Sequence, residues 1–496
     1  MHIAFRVDAS SRIGTGHLMR CLALAAQLRS KFSQIHFISL DLPEGLRALI
    51  EAQGYLSHAL PLGCRDGAWE DDAAGTREIL ACQPGSIAWL VVDHYRLDAR
   101  WEKSVSSVVG QLLVIDDLAD RPHECDVLLD QNFYHEMDVR YKGLVADSTR
   151  LFLGPRYALL RQDFADAGRV DRAARSQEPV QAMQVCFGGA DPTRETLKVL
   201  EALAPIMDQG EIRIEVVVGA ACAHLPEIKA ATERHACVDL VVNASDLAER
   251  MIKADLAIGA AGSMSWERAS VGLPSIAIAI ADNQRLLGHH AAQAGLHLFL
   301  GNHQEVSVTN IRDAVNVALS NADMRYVFAQ RSQSICDGRG AARVARIMSL
   351  QPINIRPVTL ADARDMYEWR NAAVNRRYSH NDQEISWDTH IGWLERSLRN
   401  PDRALLIGQD SQGPVGVLRY DRLNGSWMTS VYLVPQRHGS GLGESLLRDG
   451  LAWLKQRDSG VHEVLAEIRP ENHASRDVFL RAGYKPAFMT YVAELT

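Results

Sequence analysis

Residues 2–28, HIAFRVDASSRIGTGHLMRCLALAAQL, decide the fold class. The apolar run His2–Val7 has the length and composition of a buried strand. A glycine-containing turn follows, then Leu18–Leu28, where apolar residues recur at helical spacing. The unit repeats: short apolar runs at Ile35–Ser39, Trp89–Val92 and Leu112–Ile115 each precede a polar turn and a stretch able to form a helix. Such alternation specifies a parallel sheet with crossover helices. The charged stretch Asp163–Val180, poor in bulky apolar residues and closed by Pro179, reads as an interdomain linker. A second series follows at Met183–Phe187, Ile214–Val218, Val238–Val242, Leu256–Ile258 and Ser275–Ile280. Two doubly wound domains in succession place a ligand in the cleft between them, outside the carboxyl ends of the strands.

After Gln351-Pro352 the order changes. A strand at Ile353–Pro357 and a helix at Leu360–Arg370 precede three successive strands, Ala404–Gln409, Val415–Tyr420 and Ser426–Val434. A glycine-rich turn and helix, the strand Val464–Ile468 and a last helix complete an α+β pattern. Three domains are expected, at 1–170, 180–348 and 353–496, which suits 496 residues. Hydrophobic residues at 47% and charged residues at 23% exclude a disordered chain. A net charge of −8 argues against coating nucleic acid or an anionic membrane. No run approaches the roughly 20 apolar residues a membrane span needs. Arg6 and Asp8 stand where the apolar core of a secretory signal would lie, and the eight cysteines form no CxxC pair, so a cytoplasmic location is expected. The 18 histidines form no HxxxH or HExxH pattern, and the adjacent His289-His290 cannot easily share one metal; no metal is expected.

The chemistry concentrates first in Ile13-Gly14-Thr15-Gly16-His17-Leu-Met-Arg20, between the first strand and the first helix. Glycines there let backbone amides approach an anion, and a helix N-terminus adds partial positive charge. His17 projects into the cleft, where an imidazole accepts a proton from water near neutral pH. By these residues alone, the lesser reading is that it caps the helix or fills a polar pocket. Asp8, Asp93 and Asp116 end strands and are read as binding backbone amides of the turns that follow, not as catalytic groups. In the second half, the small residues of Ala260–Glu267 allow close approach to a diphosphate, and Glu267 has the geometry to accept two ribose hydroxyls. Asn283 and Gln284 follow a buried strand and face the same cleft.

Arg6-Val-Asp8 with Gly14–Arg20 resembles the opening of the UDP-sugar hydrolases of pseudaminic acid biosynthesis. So do Val92-Asp93-His94-Tyr95, Asp116-Asp117, Phe187-Gly188-Gly189-Ala-Asp191-Pro192, Gly259–Glu267, Gly272-Leu-Pro274 and Asp282-Asn283-Gln284. The likeness spans about residues 1–350. It implies two Rossmann-like domains in a GT-B-like arrangement and release of UDP from UDP-2,4-diacetamido-2,4,6-trideoxy-β-L-altropyranose, with His17 as base and inversion at the anomeric carbon. It implies a UDP and sugar site made by Gly14, Thr15, Gly16, Tyr95, Gly188, Gly189, Gly262, Ser263, Ser265, Glu267, Asn283 and Gln284.

Ser430–Leu447 reads as a strand ending in Pro435, a glycine-rich turn and a helix, a nest for a pyrophosphate. It resembles the acetyl-CoA loop of the GNAT N-acetyltransferases, in one of two registers. Gln436 pairs with Gly439 and Gly441, or His438 with Gly441 and Gly443. The resemblance implies that Val431, Leu433, His438, Gly439, Gly441, Gly443 and Asn472 bind acetyl-CoA. Relatives place a proton-donating tyrosine where this chain has Phe479, and Tyr484 and Tyr432 are substitutes. Ile355-Arg-Pro, Glu368-Trp369-Arg370-Asn371 and His390-Ile-Gly-Trp393 resemble the subfamily that acetylates the 4-amino group of UDP-linked amino sugars. Arg370, Asn371 and His390 are then expected at the acceptor site, with Trp369 and Trp393 in the core. Glu467 is either a proton relay or a strand-end carboxylate. Together the likenesses imply a bifunctional enzyme whose acetyltransferase, acting on UDP-4-amino-4,6-dideoxy-N-acetyl-β-L-altrosamine, makes the hydrolase's substrate. Three alternatives stand beside it. They are a UDP-sugar glycosyltransferase fused to an acetyltransferase, the same steps on another nonulosonic acid precursor, and a nucleotide-sugar-binding regulator.

Overall fold

A computed structural model describes residues 1–9, 14–61, 68–168, 172–349, 353–377, 382–423, 425–438, 442–458, 460–469 and 471–487. The chain divides into two compact units, Met1–Met348 and Ser349–Thr496. The first contains two parallel sheets. One is formed by β1 (His2–Val7), β2 (Gln34–Ser39), β3 (Leu56–Ala59), β4 (Ile87–Asp93), β5 (Gln111–Ile115), β6 (Val127–Asp130) and β7 (Arg150–Leu153), in the order β3-β2-β1-β4-β5-β6-β7. The other is formed by β8 (Ala182–Cys186), β9 (Arg213–Val218), β10 (Val238–Val242), β11 (Leu256–Ala260), β12 (Ser275–Ala279) and β13 (Leu298–Asn302), in the order β10-β9-β8-β11-β12-β13. Helices cover both faces, so the central strands are buried throughout: every residue of β1 and β11 is buried. The strand order reverses between β1 and β4 and again between β8 and β11. At such a reversal the loops leave in opposite directions and open a crevice at the strands' carboxyl ends.

Two expected boundaries are corrected. The described parts of the expected linker Asp163–Val180, residues 163–168 and 172–180, pack against the second lobe. The stretch begins within the helix Gln162–Ala167, and the buried Arg172 donates to the carbonyls of Met251, at 2.6 Å, and Ala254. The last helix of the expected second domain, Gly340–Met348, packs Ala341, Val344, Ala345 and Met348 into the first sheet's core instead. Trp89 of β4 donates its indole N–H to the Met348 carbonyl at 2.9 Å. The chain thus crosses between the lobes near residue 160 and returns near 340.

Among the described residues the second unit has one five-stranded sheet in chain order: β14 (Asn354–Pro357), β15 (Arg403–Asp410), β16 (Gly413–Leu423), β17 (Ser426–Leu433) and β18 (Val464–Ala466). All pairs are antiparallel except β17 with β18. The helices Ala363–Asn371 and Trp387–Arg399 supply Met366 and Leu394 to one apolar cluster. Leu442–Arg457 and His473–Arg481 supply Leu446, Leu447, Leu454 and Phe479 to the other.

Candidate active sites

His17 lies at the reversal between β1 and β4, in the first turn of the helix Gly16–Leu28. Its Nδ1 is 2.5 Å from Oδ1 of Asp93, the last residue of β4. Asp93 is fully enclosed, and burial by itself would raise its pKa. Arg20 and then His17 overcome that and hold the carboxyl well below the usual range. An ionised Asp93 accepts the Nδ1 proton and leaves the lone pair on Nε2. Tyr95, two residues beyond Asp93, sets its ring at right angles to the imidazole, 4.6 Å between centroids. The expectation that Asp93 binds turn amides is therefore corrected: its oxygens engage His17, Arg20 and the Cys21 thiol. No local signal in the sequence showed this, because it depends on β4 lying beside β1. Asp116 does bind the turn that follows it, whereas Asp8 binds amides beyond the end of β2. Asp8 accepts from Leu40 and Asp116 from Ala119, both at 2.8 Å.

Across the cleft, Asn283 donates to the Tyr95 hydroxyl at 3.2 Å, and a Cβ on Gly16 would lie 3.8 Å from Ser263 Oγ. The structure thus brings His17, Gly16, Tyr95, Ser263 and Asn283 together from two lobes. Thr15 is exposed and makes no side-chain cap at the helix start. Gly14 and Gly188 have φ of +86° and +90°, with nothing within 4 Å of an added Cβ. These two turns need glycine for backbone conformation and leave open space above it. Gly189 lies in the Gly188 turn and accepts from Gly219 at 2.9 Å. Gly262 is different, because a Cβ there would meet the Gln284 amide at 2.9 Å. Gln284 itself accepts from Ile280 at 3.0 Å and so braces its own turn. Ser265 is buried and accepts from Arg268. Glu267 is half-buried, and its Oε2 has no hydrogen-bond partner among the described residues. Burial, opposed by Arg161 and Arg268, pushes its carboxyl up to about 7. An orphaned acceptor at the second reversal is what a ligand's hydroxyl donors would satisfy.

In the second unit, β18 pairs with β17 only through Trp427, Met428 and Thr429. Beyond them the strands part. The Tyr432 carbonyl lies against Gly416 of β16, so the backbone groups of Val431 and Leu433 face the open side. The Leu433 carbonyl there accepts from the Asn375 side chain at 2.9 Å, and Asn375 Oδ1 lies 3.1 Å from His438 Nε2. Gly443 begins the following helix, whereas Gly439 and Gly441 lie outside the described residues. Asn472 uses its side-chain oxygen as the cap of the helix His473–Arg481.

Two expected acceptor residues are corrected. His390 is 2% exposed, stacked among Tyr367, Trp387 and Trp393, with Nε2 on the Ala363 carbonyl at 3.0 Å. It is a satisfied core side chain. Asn371 uses both ends of its amide on the Ile385 backbone, each at 3.0 Å, and so closes a loop. Arg370 is half-buried beside Tyr432 and near Arg376 and Arg419. Phe479 is buried under the sheet and packs edge-on against Tyr484. Among the described residues no cluster of three or more His, Cys, Asp or Glu is arranged to hold a metal, and no helix is long and apolar enough to cross a membrane.

Residues 353–485 match the acetyltransferase (GNAT) domain family. Over 296 residues the chain is 25% identical to the UDP-2,4-diacetamido-2,4,6-trideoxy-beta-L-altropyranose hydrolase of Campylobacter jejuni, which covers 60% of this chain and 97% of that protein. An uncharacterized protein of Methanocaldococcus jannaschii is 22% identical over 98% of this chain and 97% of its own length, so it matches both units. MurG of Acinetobacter baumannii has the same GT-B fold, with a TM-score of 0.50 at 13% identity over 70% of this chain and 99% of its own. The chain is therefore a fusion of a GT-B-like part homologous to the Campylobacter hydrolase and a GNAT acetyltransferase domain, a class whose co-substrate is acetyl-CoA.

Proposed function

We propose that the chain carries out two consecutive steps on one UDP-linked amino sugar. The second unit transfers acetyl from acetyl-CoA to the 4-amino group of UDP-4-amino-4,6-dideoxy-N-acetyl-β-L-altrosamine. The first unit then hydrolyses the UDP-2,4-diacetamido sugar. The observation that carries the hydrolytic reading is the His17–Asp93 pair at the β1/β4 reversal, facing the orphaned Glu267 carboxylate's lobe across the cleft. Similarity to the Campylobacter hydrolase over nearly that protein's whole length supports the substrate.

In the hydrolytic step His17 Nε2 takes a proton from water as the oxygen bonds to the anomeric carbon and the bond to UDP breaks. Asp93 stabilises the imidazolium that forms. Open amides at the Gly14–Gly16 and Gly188–Gly189 turns meet the charge gathering on the departing diphosphate. Glu267 accepts the ribose hydroxyls, and Asn283 and Tyr95 hold the sugar. In the acetyl step the amine nitrogen bonds to the thioester carbonyl carbon, the carbon–sulfur bond breaks, and the amine's proton ends on the thiol. The open backbone of Val431 and Leu433 fits the amide-bearing arm of acetyl-CoA as an added strand would. The test is incubation of the purified chain with the 4-amino substrate, with and without acetyl-CoA, followed by mass spectrometry. UDP and free diacetamido sugar appear only with acetyl-CoA, and His17→Ala stops at the acetylated UDP-sugar. A chain that shows neither acetylation nor UDP release refutes the reading.

A further inference from the structure

Arg20 sits one turn along the helix from His17 and is buried. Its Nε and Nη2 donate to the two oxygens of Asp93, each at 2.6 Å, and Nη1 reaches Asp117 Oδ2 at 3.2 Å. Nη2 also lies 3.1 Å from His17 Nδ1. When Nδ1 carries its hydrogen and donates it in a hydrogen bond to Asp93, that last contact sets two donors face to face and is not a hydrogen bond. It presses a permanent positive charge against the ring, since guanidinium does not deprotonate in proteins. Arg20 therefore acts on His17 in two ways. It keeps Asp93 ionised and turned toward Nδ1, which fixes the tautomer, and it opposes a second proton on the imidazole.

We propose that Arg20 is a positioning residue that sets the working form of His17, a neutral ring with its proton on Nδ1 and its lone pair on Nε2. This rests on the hydrolase reading above. Among the described residues, the other ionisable groups near the His17–Asp93 pair are Tyr95 after β4, Cys21 on the helix of His17, and Asp116 and Asp117 after β5, which act on Tyr95 and Arg20. Across the cleft, Ser263 and Asn283 approach, and both are uncharged. Among the described residues, Arg20 is the cation that touches both members of the pair.

The test compares wild type with Arg20→Met and Arg20→Lys in the full chain. The readouts are kcat/KM for UDP release across pH and nitrogen NMR of histidine-labelled protein, which needs no turnover. In Arg20→Met the acid limb moves to higher pH by about 1–2 units, the effect of removing a like charge at contact distance. The His17 ring keeps its second proton to correspondingly higher pH. Arg20→Lys retains the charge, so its limb stays near wild type whatever its rate. A folded Arg20→Met whose rate falls with no movement of the limb would assign Arg20 a structural role only and overturn the proposal, as would a limb in Arg20→Lys displaced as far as in Arg20→Met. Should Arg20→Met not fold, Arg20→Met with Asp117→Asn removes one of the two carboxylates left unpaired, and the same upward shift is expected. If wild type releases no UDP, the hydrolase reading fails, and the NMR arm still decides Arg20: identical ring titration in wild type and variant overturns it.

Discussion

Replacing Asp93 by Asn keeps the volume at the end of β4 and removes one charge. In the native chain Asp93 Oδ1 lies 2.5 Å from His17 Nδ1. An imidazolium and a carboxylate about 4 Å between charge centres attract by about 4 kcal/mol at an effective dielectric near 20. That attraction exists only once the ring is protonated, so it acts on the transition state more than on the bound substrate. Its loss corresponds to roughly a thousandfold fall in kcat. An asparagine amide can also donate to Nδ1, which moves the ring proton to Nε2 and removes the base. KM for the UDP-sugar should change little, because Asp93 is fully buried beneath His17 and its bonds run to His17, Arg20 and Cys21. Arg20 is left with Asp117 alone, and breaking one partner from a buried pair costs about 3–5 kcal/mol. A lowered melting temperature accompanies the kinetic loss for that reason. The assay is steady-state UDP release by folded Asp93→Asn, with UDP binding by calorimetry as the check on the second lobe. A folded variant with kcat within about threefold of wild type, a ratio worth under 1 kcal/mol, would refute the role assigned to Asp93.

Glu267→Gln should weaken UDP binding by about 10–100-fold, the range for losing a hydrogen bond to a charged acceptor, as read by calorimetry. In wild type, affinity should fall as pH drops below about 7, because the carboxyl pushed up to about 7 by burial takes a proton and loses an acceptor; the variant should lack that dependence. His36 is fully buried and bonded to His58 and His2 at 3.1 and 3.2 Å, and burial first, then those two rings, lower it to about 4. Its folded-state value lies below the unfolded one. The first unit should therefore lose stability as pH falls from about 6.5 toward 4, by about 3 kcal/mol in total. Thermal melts across that range should show the slope, and His36→Leu should flatten it. Gly340→Ala should unfold the first unit at lower temperature, since its Cβ would sit 2.2 Å from the Ala158 carbonyl oxygen and lift the returning helix off the first core. An unchanged melting temperature would remove that helix from the account of stability.

The strands legible in advance are those with short, mostly apolar runs: β1, β2, β4, β5, β8 to β12 and β14 to β18 fall within a few residues of their expected places. Four strands were missed, and each has a local reason. β3 reads LSHA, with no apolar run, and β6 and β7 are four-residue runs followed only by short turns of helix to mark the repeat; β13, LFLGN, is broken by its glycine. The glycines of the turns were legible as turns. Whether each bare backbone faces open space, as at Gly188, or a packed amide, as at Gly262, depends on neighbours distant in the chain. His390 and Asn371 went astray for the same reason. A histidine or an asparagine in a motif gives no sign of whether its polar atoms are already bonded, and both here are satisfied by backbone.

By itself the sequence determined two doubly wound sheets followed by an α+β unit, and the positions of the loops at their strand ends. Apolar periodicity and glycine placement are local properties, and they carry that much. Tertiary structure alone decided which side chains meet. Asp93 and His17 are 76 positions apart and become a pair because β1 and β4 lie side by side at the reversal of strand order. Arg20 becomes their third member because one helical turn from His17 brings its guanidinium over Asp93's two oxygens. The last helix belongs to the first lobe because its apolar face finds its complement there, a choice that rests on packing between segments more than 250 residues apart.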